Sequence, residues 1–175
     1  MKENVTIRKA KSGDEISVAK MIAEGLKRKN WLYNGGNKIP DRTKITRMHK
    51  QYQNWGEESF VFLAVDNKSK KVVGSISGSF KQTGFASRIR HRIDCGWGVH
   101  PDYQGQGIAT KLLNTLLKYA KKEGFKRAEA ECAIENVPSW RLAKKCGFKI
   151  EGTKKKALLT DDGRYIDTYI VGRIL

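Results

Sequence analysis

The chain has 175 residues, 39% of them hydrophobic, and a formal net charge of +17 from 35 Lys and Arg against 18 Asp and Glu. This composition excludes disorder over most of the length, and the short apolar runs, broken by charge, exclude a membrane span. The charge favours an anionic partner such as a phosphorylated cofactor or nucleic acid, with a plain solvated surface as the alternative.

Hydrophobic periodicity and turn residues predict alternating strands and helices. In chain order they are a strand at 5–8, a helix at 14–28, a loop at 30–40, a weaker helix at 42–55, a strand hairpin at 59–65 and 71–80, a strand at 88–99, a helix at 107–124, a strand at 127–133, a short helix at 138–145, and strands at 148–155 and 165–175. This order predicts one mixed α/β sheet. We therefore expect a single domain over residues 1–175.

The cysteines and the N-terminal residues indicate the compartment. Cys95, Cys132 and Cys146 have no metal-ligand spacing, and we interpret them as reduced thiols rather than as metal ligands. The first residues carry no apolar signal core. Both observations predict a cytoplasmic protein.

Residues 107–124 carry the clearest helical pattern. At 100° per residue, the apolar side chains occupy one half of the helical wheel and the polar ones the other half. The apolar half contains Ile108, Ala109, Leu112, Leu113, Leu116, Leu117 and Ala120, and the polar half contains Lys111, Asn114, Lys118, Lys121 and Lys122. Gly124 follows the basic last turn, at the C′ position that favours glycine.

The segment before this helix, residues 99–110, reads Val-His-Pro-Asp-Tyr-Gln-Gly-Gln-Gly-Ile-Ala-Thr. Gly105 and Gly107 allow a tight turn and remove side chains that would block a ligand. The first helical amides lack intrahelical acceptors and point at one spot, with the positive end of the helix dipole behind them. A diphosphate is the natural ligand of such a concavity, although a glycine turn that enters a core helix is the plainer alternative.

Two other phosphate motifs are excluded. The chain contains no G-x-x-x-x-G-K-S/T string, so it has no P-loop. A dinucleotide fingerprint needs a small residue where Thr110 stands, and a turn directly after the strand. Here residues 100–104 separate Val99 from Gly105.

Two motifs resemble those of a known family. Residues 99–109, V-x-P-x-x-Q-G-x-G-I-A, resemble the acetyl-CoA-binding motif Q/R-x-x-G-x-G/A of the GNAT acetyltransferase superfamily. Residues 131–148, E-C-x-x-x-N-x-x-S-x-x-L-x-x-K-x-G-F, resemble its later motif. The tail at 163–169, G-R-Y-I-D-x-Y, is similar to the bacterial branch that includes ribosomal-protein and small-amine acetyltransferases.

The resemblance implies the α/β GNAT fold, a mixed sheet of about seven strands splayed at the cofactor site and flanked by about four helices. Acetyl-CoA would be the cosubstrate, with its pyrophosphate on the loop amides and its pantetheine arm paired to the strand that ends at Val99. Asn136 matches a residue on the cofactor side of the cleft, and is also typical of a helix N-cap. The implied cofactor-binding residues are Val99, Gln104, Gly105, Gln106, Gly107, Ile108, Ala109, Thr110, Asn136 and Lys145.

The implied reaction needs a base for the ammonium proton of the acceptor and stabilisation of the leaving thiolate. Glu131 matches the carboxylate that ribosomal-protein alanine acetyltransferases use as base, and is otherwise an ordinary strand residue. Asp94 lies where relatives often carry Glu, but a bulge that is usual in this strand leaves its direction open. The tyrosine that usually acts as general acid in this family would fall at position 143, where the chain has Ala143. Ser139 is the nearest motif residue with a hydroxyl and is the candidate acid. Tyr165 and Tyr169 on the last strand are alternatives that more often have a packing role, and a thiolate can also leave with only modest help.

These residues predict an acyltransferase, an N-acetyltransferase whose primary-amine acceptor attacks acetyl-CoA directly in a ternary complex. The absent tyrosine leaves a non-catalytic CoA-binding module as an alternative. A nucleic-acid or ribosomal partner is not favoured, because Lys and Arg are spread over nearly every segment. We expect a small-molecule or peptide amine as partner, no membrane, and a monomer or homodimer. The expected acceptor loops, 30–41 and 160–163, carry no recognisable specificity code.

Overall fold

The computed structural model describes residues 4–27, 59–80, 88–160 and 163–175. Its elements are β1 (Val5–Lys9), α1 (Glu15–Lys27), β2 (Ser59–Asp66), β3 (Val72–Ser79), β4 (Arg92–Val99), a 3-10 turn (Pro101–Tyr103), α2 (Ile108–Lys122), β5 (Arg127–Ala133), α3 (Val137–Lys145), β6 (Lys149–Leu159) and β7 (Tyr165–Ile174). The predicted loop at 30–40 and helix at 42–55 lie outside the described residues. Elsewhere the predicted elements are present, and two of their ends are shifted by four residues. The strand predicted from 88 begins at Arg92, and the strand predicted to end at 155 continues to Leu159.

The described strands form one sheet in the order β1-β2-β3-β4-β5-β7-β6. Strands β4 and β5 run parallel, and α2 makes the crossover between them, while each other neighbouring pair is antiparallel. The prediction of a mixed α/β sheet of about seven strands is confirmed, with three α-helices in the described part of the chain. None of these helices is long and apolar enough to cross a membrane.

Alternating residues of β2 divide between cores on the two faces of the sheet. Phe60 and Phe62 join a cluster around α2, in which Leu112, Leu113 and Leu116 are fully buried. Each such side chain contributes about 1.5–3 kcal/mol through its burial. The other face packs against α1 in a smaller cluster, which consists of Val18, Met21, Ile22, Val61, Leu63 and Val72.

Two glycines of β3 let α2 lie close to the sheet. A β-carbon on Gly74 would come within 3.1 Å of the Leu112 side chain. One on Gly78 would come within 2.9 Å of the Phe60 ring and 3.2 Å of Leu116. Larger residues would push the helix outward and loosen the core that holds the start of α2 in place.

The separation of β4 and β5 creates the cleft. These strands pair only through Arg92 with Arg127, Ile93 with Ala128, and Asp94 with Glu129. Strand β4 then continues to residue 99 and β5 to residue 133 without pairing to each other. Their facing backbone edges are therefore open to another extended partner.

The expectation of a bulge in β4 is wrong. Its register with β3 is unbroken from Asp94, opposite Ser79, to Val99, opposite Gly74. The cleft between β4 and β5 therefore begins where their parallel pairing ends, at Asp94, and not at a bulge. Successive side chains of β4 from Asp94 to Val99 alternate regularly between the two faces of the sheet.

Candidate active site

The loop between β4 and α2 is shaped by two glycines with left-handed backbone conformations. Gly105 has φ 75° and Gly107, the N-cap of α2, has φ 77°. At either position a β-carbon would meet nothing within 4 Å. The glycines are thus required by backbone conformation rather than by crowding, and they leave an open surface in front of the helix start.

Six consecutive backbone amides at this surface, from Gly105 to Thr110, have no acceptor within the described part of the chain. The amide of Gln104 donates to the carbonyl of Pro101 at 3.3 Å, and that of Lys111 donates to Gly107 at 3.1 Å, so the free run lies between them. Of the residues expected to offer amides, Gln104 is therefore already engaged. The remaining donors, with the helix dipole behind them, fit a diphosphate.

Side chains of the loop hold its own backbone. Gln104 donates through Nε2 to the carbonyl of Val99 at 3.1 Å, and Gln106 donates through Nε2 to the carbonyl of Asp102 at 3.3 Å. Ile108 is buried beneath the helix start and anchors it to the core, whereas Ala109 and Thr110 are half-buried. These two glutamines therefore stiffen the loop as well as bordering the cleft.

The two other predicted cofactor residues lie at opposite ends of α3. Asn136 is the N-cap, and its side-chain oxygen accepts from the amide of Ser139 at 3.4 Å, so the N-cap prediction is confirmed. Lys145 is exposed in the last turn. Lys145 is nine residues after Asn136 along the helix, which corresponds to about 13 Å. They could therefore contact only different parts of an elongated ligand.

Three carboxylates share the sheet face that carries α1. Asp94 is opposite Glu129 in the parallel register, and Glu131 follows two residues along β5. The adjacent residues in both strands are buried in the α2 core, among them Ile93 and Ala130, so the acidic side chains point to the other side of the sheet. The predicted candidates Asp94 and Glu131 thus lie in one cluster, together with Glu129, which the sequence did not single out.

The Asp94 side chain is reached by solvent, yet the surrounding protein raises the pKa of its carboxyl above its ordinary value through partial burial. The negative charges of Glu129 and Glu131 raise it further, while Lys154 and Arg92 oppose the shift. Within the described residues, Asp94 makes no side-chain hydrogen bond or ion pair. It is an accessible carboxylate with a strengthened affinity for a proton.

Glu131 is firmly held. Lys154 of β6 donates through Nζ to its Oε2 at 2.6 Å, and the hydroxyl of Thr168 in β7 donates to its Oε1. Thr168 is fully buried, which fixes the position of this donor. The sequence could not reveal either partner, because only the order β5-β7-β6 brings them to Glu131.

The sheet beside Asp94 is lined by small polar residues. Gly96 is opposite Ser77, and Gly98 is opposite Ser75. Of the described residues, a β-carbon at Gly96 would touch the Ser77 hydroxyl, at 3.5 Å. Among the described residues, this part of the α1 face therefore presents no bulky side chain next to the Asp94 carboxylate.

Ser139 lies in the first turn of α3 and donates through Oγ to the Cys132 sulfur at 3.5 Å. Burial raises the pKa of the Cys132 thiol and that of Cys146, so neither is an activated nucleophile. All three cysteines are free and buried, as predicted. Ala143 is fully buried and supplies no hydroxyl where the family tyrosine would stand.

Comparison with known proteins assigns this architecture to a family. The model of the acetyltransferase (GNAT) family matches residues 30–148, more than half of the chain. The chain belongs to this family, and the resemblance found in residues 99–109 and 131–148 is confirmed.

Three relatives illustrate the likeness. The L-amino acid N-acetyltransferase AaaT of Escherichia coli is 31% identical over 104 residues, which cover 59% of this chain and 62% of that protein. The ribosomal-protein-alanine N-acetyltransferase of Brucella melitensis has a TM-score of 0.83 at 22% identity, covering 97% of this chain and 99% of the other. YncA of Salmonella typhimurium, solved with acetyl-CoA, has a TM-score of 0.79 at 22% identity, covering 99% and 95%.

These matches differ in what they show. At 22% identity, the likeness to the two solved structures concerns the fold. The chain spans about half the length of the curated relatives it matches. Ribosomal-protein and small-molecule acetyltransferases both occur among the relatives, as expected for the bacterial branch.

Proposed function

We propose that this chain is an acetyl-CoA-dependent N-acetyltransferase whose primary-amine acceptor attacks directly in a ternary complex. The observation that carries the proposal is the run of six amides from Gly105 to Thr110, which have no acceptor among the described residues and lie at the end of the cleft between β4 and β5. A diphosphate fits the amides, and an extended arm fits the unpaired strand edges. Family membership and the acetyl-CoA bound to the Salmonella relative support the same ligand.

The proposed cofactor contacts follow the cleft. The amides of Gly105, Gln106, Gly107, Ile108, Ala109 and Thr110 hold the pyrophosphate, and Gln104 shapes the turn before them. The free edge of β4 near Val99 receives the pantetheine arm. Asn136 faces the cofactor from α3, and Lys145 supplies positive charge for a phosphate at the other end of that helix.

Acetyl-CoA supplies a thioester whose carbonyl carbon the amine attacks, with a thiolate as leaving group. The amine must lose a proton to attack, and we assign Asp94 as the group that accepts it. Its carboxylate is accessible to solvent and unpaired among the described residues, and its pKa is raised, first by partial burial. Glu131 is the second candidate, but both of its oxygens already accept hydrogen bonds.

Ser139 is the proposed donor towards the departing sulfur. Its hydroxyl lies at the first turn of α3 and currently donates to Cys132, a weak acceptor that a thiolate would replace. Tyr169 packs against Trp140 with ring centroids 6.0 Å apart, which indicates a packing role rather than that of an acid.

The proposed acceptor is a small-molecule or peptide amine in the cytoplasm. Relatives named for L-amino acids and for ribosomal proteins cover both acceptor types. Buried, unpaired thiols support a reducing compartment. A CoA-binding module without turnover is the second candidate function, favoured by Ala143 where the usual acid would stand.

Two measurements test the proposal. Calorimetry should detect acetyl-CoA binding, and a thiol-release assay over amino acids, polyamines, peptides and other amines should find an acceptor. Binding without turnover on any amine would favour the non-catalytic module. Absence of acetyl-CoA binding would refute the proposed function.

A further inference from the structure

One residue joins the cofactor loop to the helix on the opposite face of the sheet. His100 follows the last residue of β4, and its side chain is only 11% exposed. Its Nδ1 accepts from the backbone amide of Asp102 at 3.2 Å, and its Nε2 lies 2.7 Å from Oε2 of Glu24 in α1. Neither contact belongs to the proposed transfer chemistry.

The backbone of His100 is also fixed on both sides. Its amide donates to the carbonyl of Val73 in β3 at 2.8 Å, and its carbonyl accepts from the amide of Tyr103 at 2.9 Å. The Tyr103 ring stands edge-on to the imidazole, with centroids 5.8 Å apart. His100 therefore opens the 3-10 turn that leads directly into the glycine loop.

The two ring nitrogens have different tasks. Because Nδ1 accepts from an amide, the ring proton lies on Nε2, which donates it to Glu24. A single neutral tautomer satisfies both contacts. The contact with Glu24 also favours the ring orientation in which Nδ1 accepts from the amide of Asp102. The position of Glu24 in α1 therefore influences how the turn is capped.

We propose that His100 is a positioning residue for the cofactor cradle, by which we mean the backbone amides of residues 105–110. Nδ1 of His100 caps the turn that orients these amides, and Glu24 of α1 holds the imidazole ring in the orientation that this cap requires. This inference rests on the proposed function, since it assigns a task towards the same cofactor. It links α1, which borders the face that carries Asp94, to the loop that holds the pyrophosphate.

Two amide variants distinguish the roles of the two ring nitrogens of His100. The side-chain oxygen of Asn can occupy the position of Nδ1, and the side-chain nitrogen of Gln can occupy that of Nε2. His100→Asn therefore keeps the turn cap, as a favoured capping residue, whereas His100→Gln keeps only the link to Glu24. Calorimetry with acetyl-CoA should give a Kd near that of the wild type for Asn, and about three- to tenfold weaker binding for Gln.

A packing role alone would favour Gln, which is closer to His in size, or leave the two variants alike. Either result would overturn the inference. If His100→Gln folds poorly, Glu24→Ala tests the same link from α1. It should weaken acetyl-CoA binding a few-fold by freeing the ring, and Glu24→Gln, which retains an acceptor, should restore the affinity. Unchanged affinity in Glu24→Ala would overturn the inference while leaving the proposed function intact. A wild-type chain that does not bind acetyl-CoA would overturn both.

Discussion

Asp94 of β4 and Glu129 of β5 form the last residue pair that joins these parallel strands, and the cleft begins immediately beyond them. The two carboxylates differ in their ion pairing. Glu129 forms ion pairs with Arg92 at 3.2 Å and Arg127 at 3.1 Å, whereas Asp94 has no such partner among the described residues. The paired carboxylate supports the strand junction, and the unpaired one is available for proton transfer.

The cofactor cradle can be tested at Gly107. A valine there would suffer backbone strain at φ 77° and would place a branched side chain in front of the free amides. We expect Gly107→Val to weaken acetyl-CoA binding by more than about 100-fold in calorimetry, because several charge-assisted hydrogen bonds are lost together.

Gly124, after the other end of α2, provides the matched control. It has φ 89° and equally open space around a β-carbon, so Gly124→Val imposes similar strain away from the cradle. This variant should lose stability but keep its acetyl-CoA affinity. Full binding by Gly107→Val would refute the proposed site.

The assignment of the base predicts a kinetic difference between two carboxylates. Asp94→Asn should lower kcat by about 10²–10⁴-fold with little change in acetyl-CoA affinity. Wild-type activity should fall as the pH drops through the raised pKa of Asp94, and this acidic limb should disappear in the variant.

Glu131→Gln is the comparison, because Lys154 and Thr168 already occupy its oxygens. It should lower kcat less than Asp94→Asn does and retain the acidic limb. The reverse order of the two variants would make Glu131 the base.

Asp94 also predicts a trend in stability. Its pKa is raised in the folded state, so the folded chain binds this proton more tightly than the unfolded chain. The contribution of Asp94 to stability is then fully present at low pH and is lost as the pH rises through the raised pKa. Asp94→Asn should therefore increase the free energy of unfolding at neutral pH and change it little in acid, as measured by urea denaturation at both pH values.

Asp14 predicts the opposite trend. Arg8 donates to its two oxygens at 2.6 and 2.7 Å and, as the main cause, lowers the pKa of this carboxyl. Its stabilisation is present above the ordinary pKa and is lost as the pH falls through the lowered one. Asp14→Asn should cost about 2 kcal/mol at neutral pH, with the difference shrinking in acid. A constant difference across this range in denaturation experiments would contradict the assignment.

The net charge of +17 leads to a prediction about partners. We expect no RNA binding at physiological salt, together with full activity on free amines, because steering of the anionic cofactor and a solvated surface account for the cations. RNA binding that persists with acetyl-CoA bound, and that weakens with salt at a log–log slope near 0.7 per phosphate contact, would contradict this.

Several features of the chain follow from local sequence. The amphipathic pattern of residues 107–124 predicted α2 to within two residues at each end, because helical periodicity is encoded by neighbours along the chain. Gly105 and Gly107 predicted the tight turn for the same local reason, since only glycine adopts φ near 75° freely. The family motifs lie in these same segments, so the family and a candidate cofactor loop could be predicted without a structure.

The pairing of the catalytic candidates was decided by tertiary structure. Glu131 meets Lys154 and Thr168, which are 23 and 37 residues away, and His100 meets Glu24, which is 76 residues away. Such contacts depend on sheet order and on where parallel strands stop pairing, which residue spacing does not specify. The sequence therefore determined which residues are candidates for the chemistry. Only the folded sheet decided that Asp94 is left unpaired among the described residues while Glu131 is held, because the partners that neutralise a carboxylate come from strands distant in the chain.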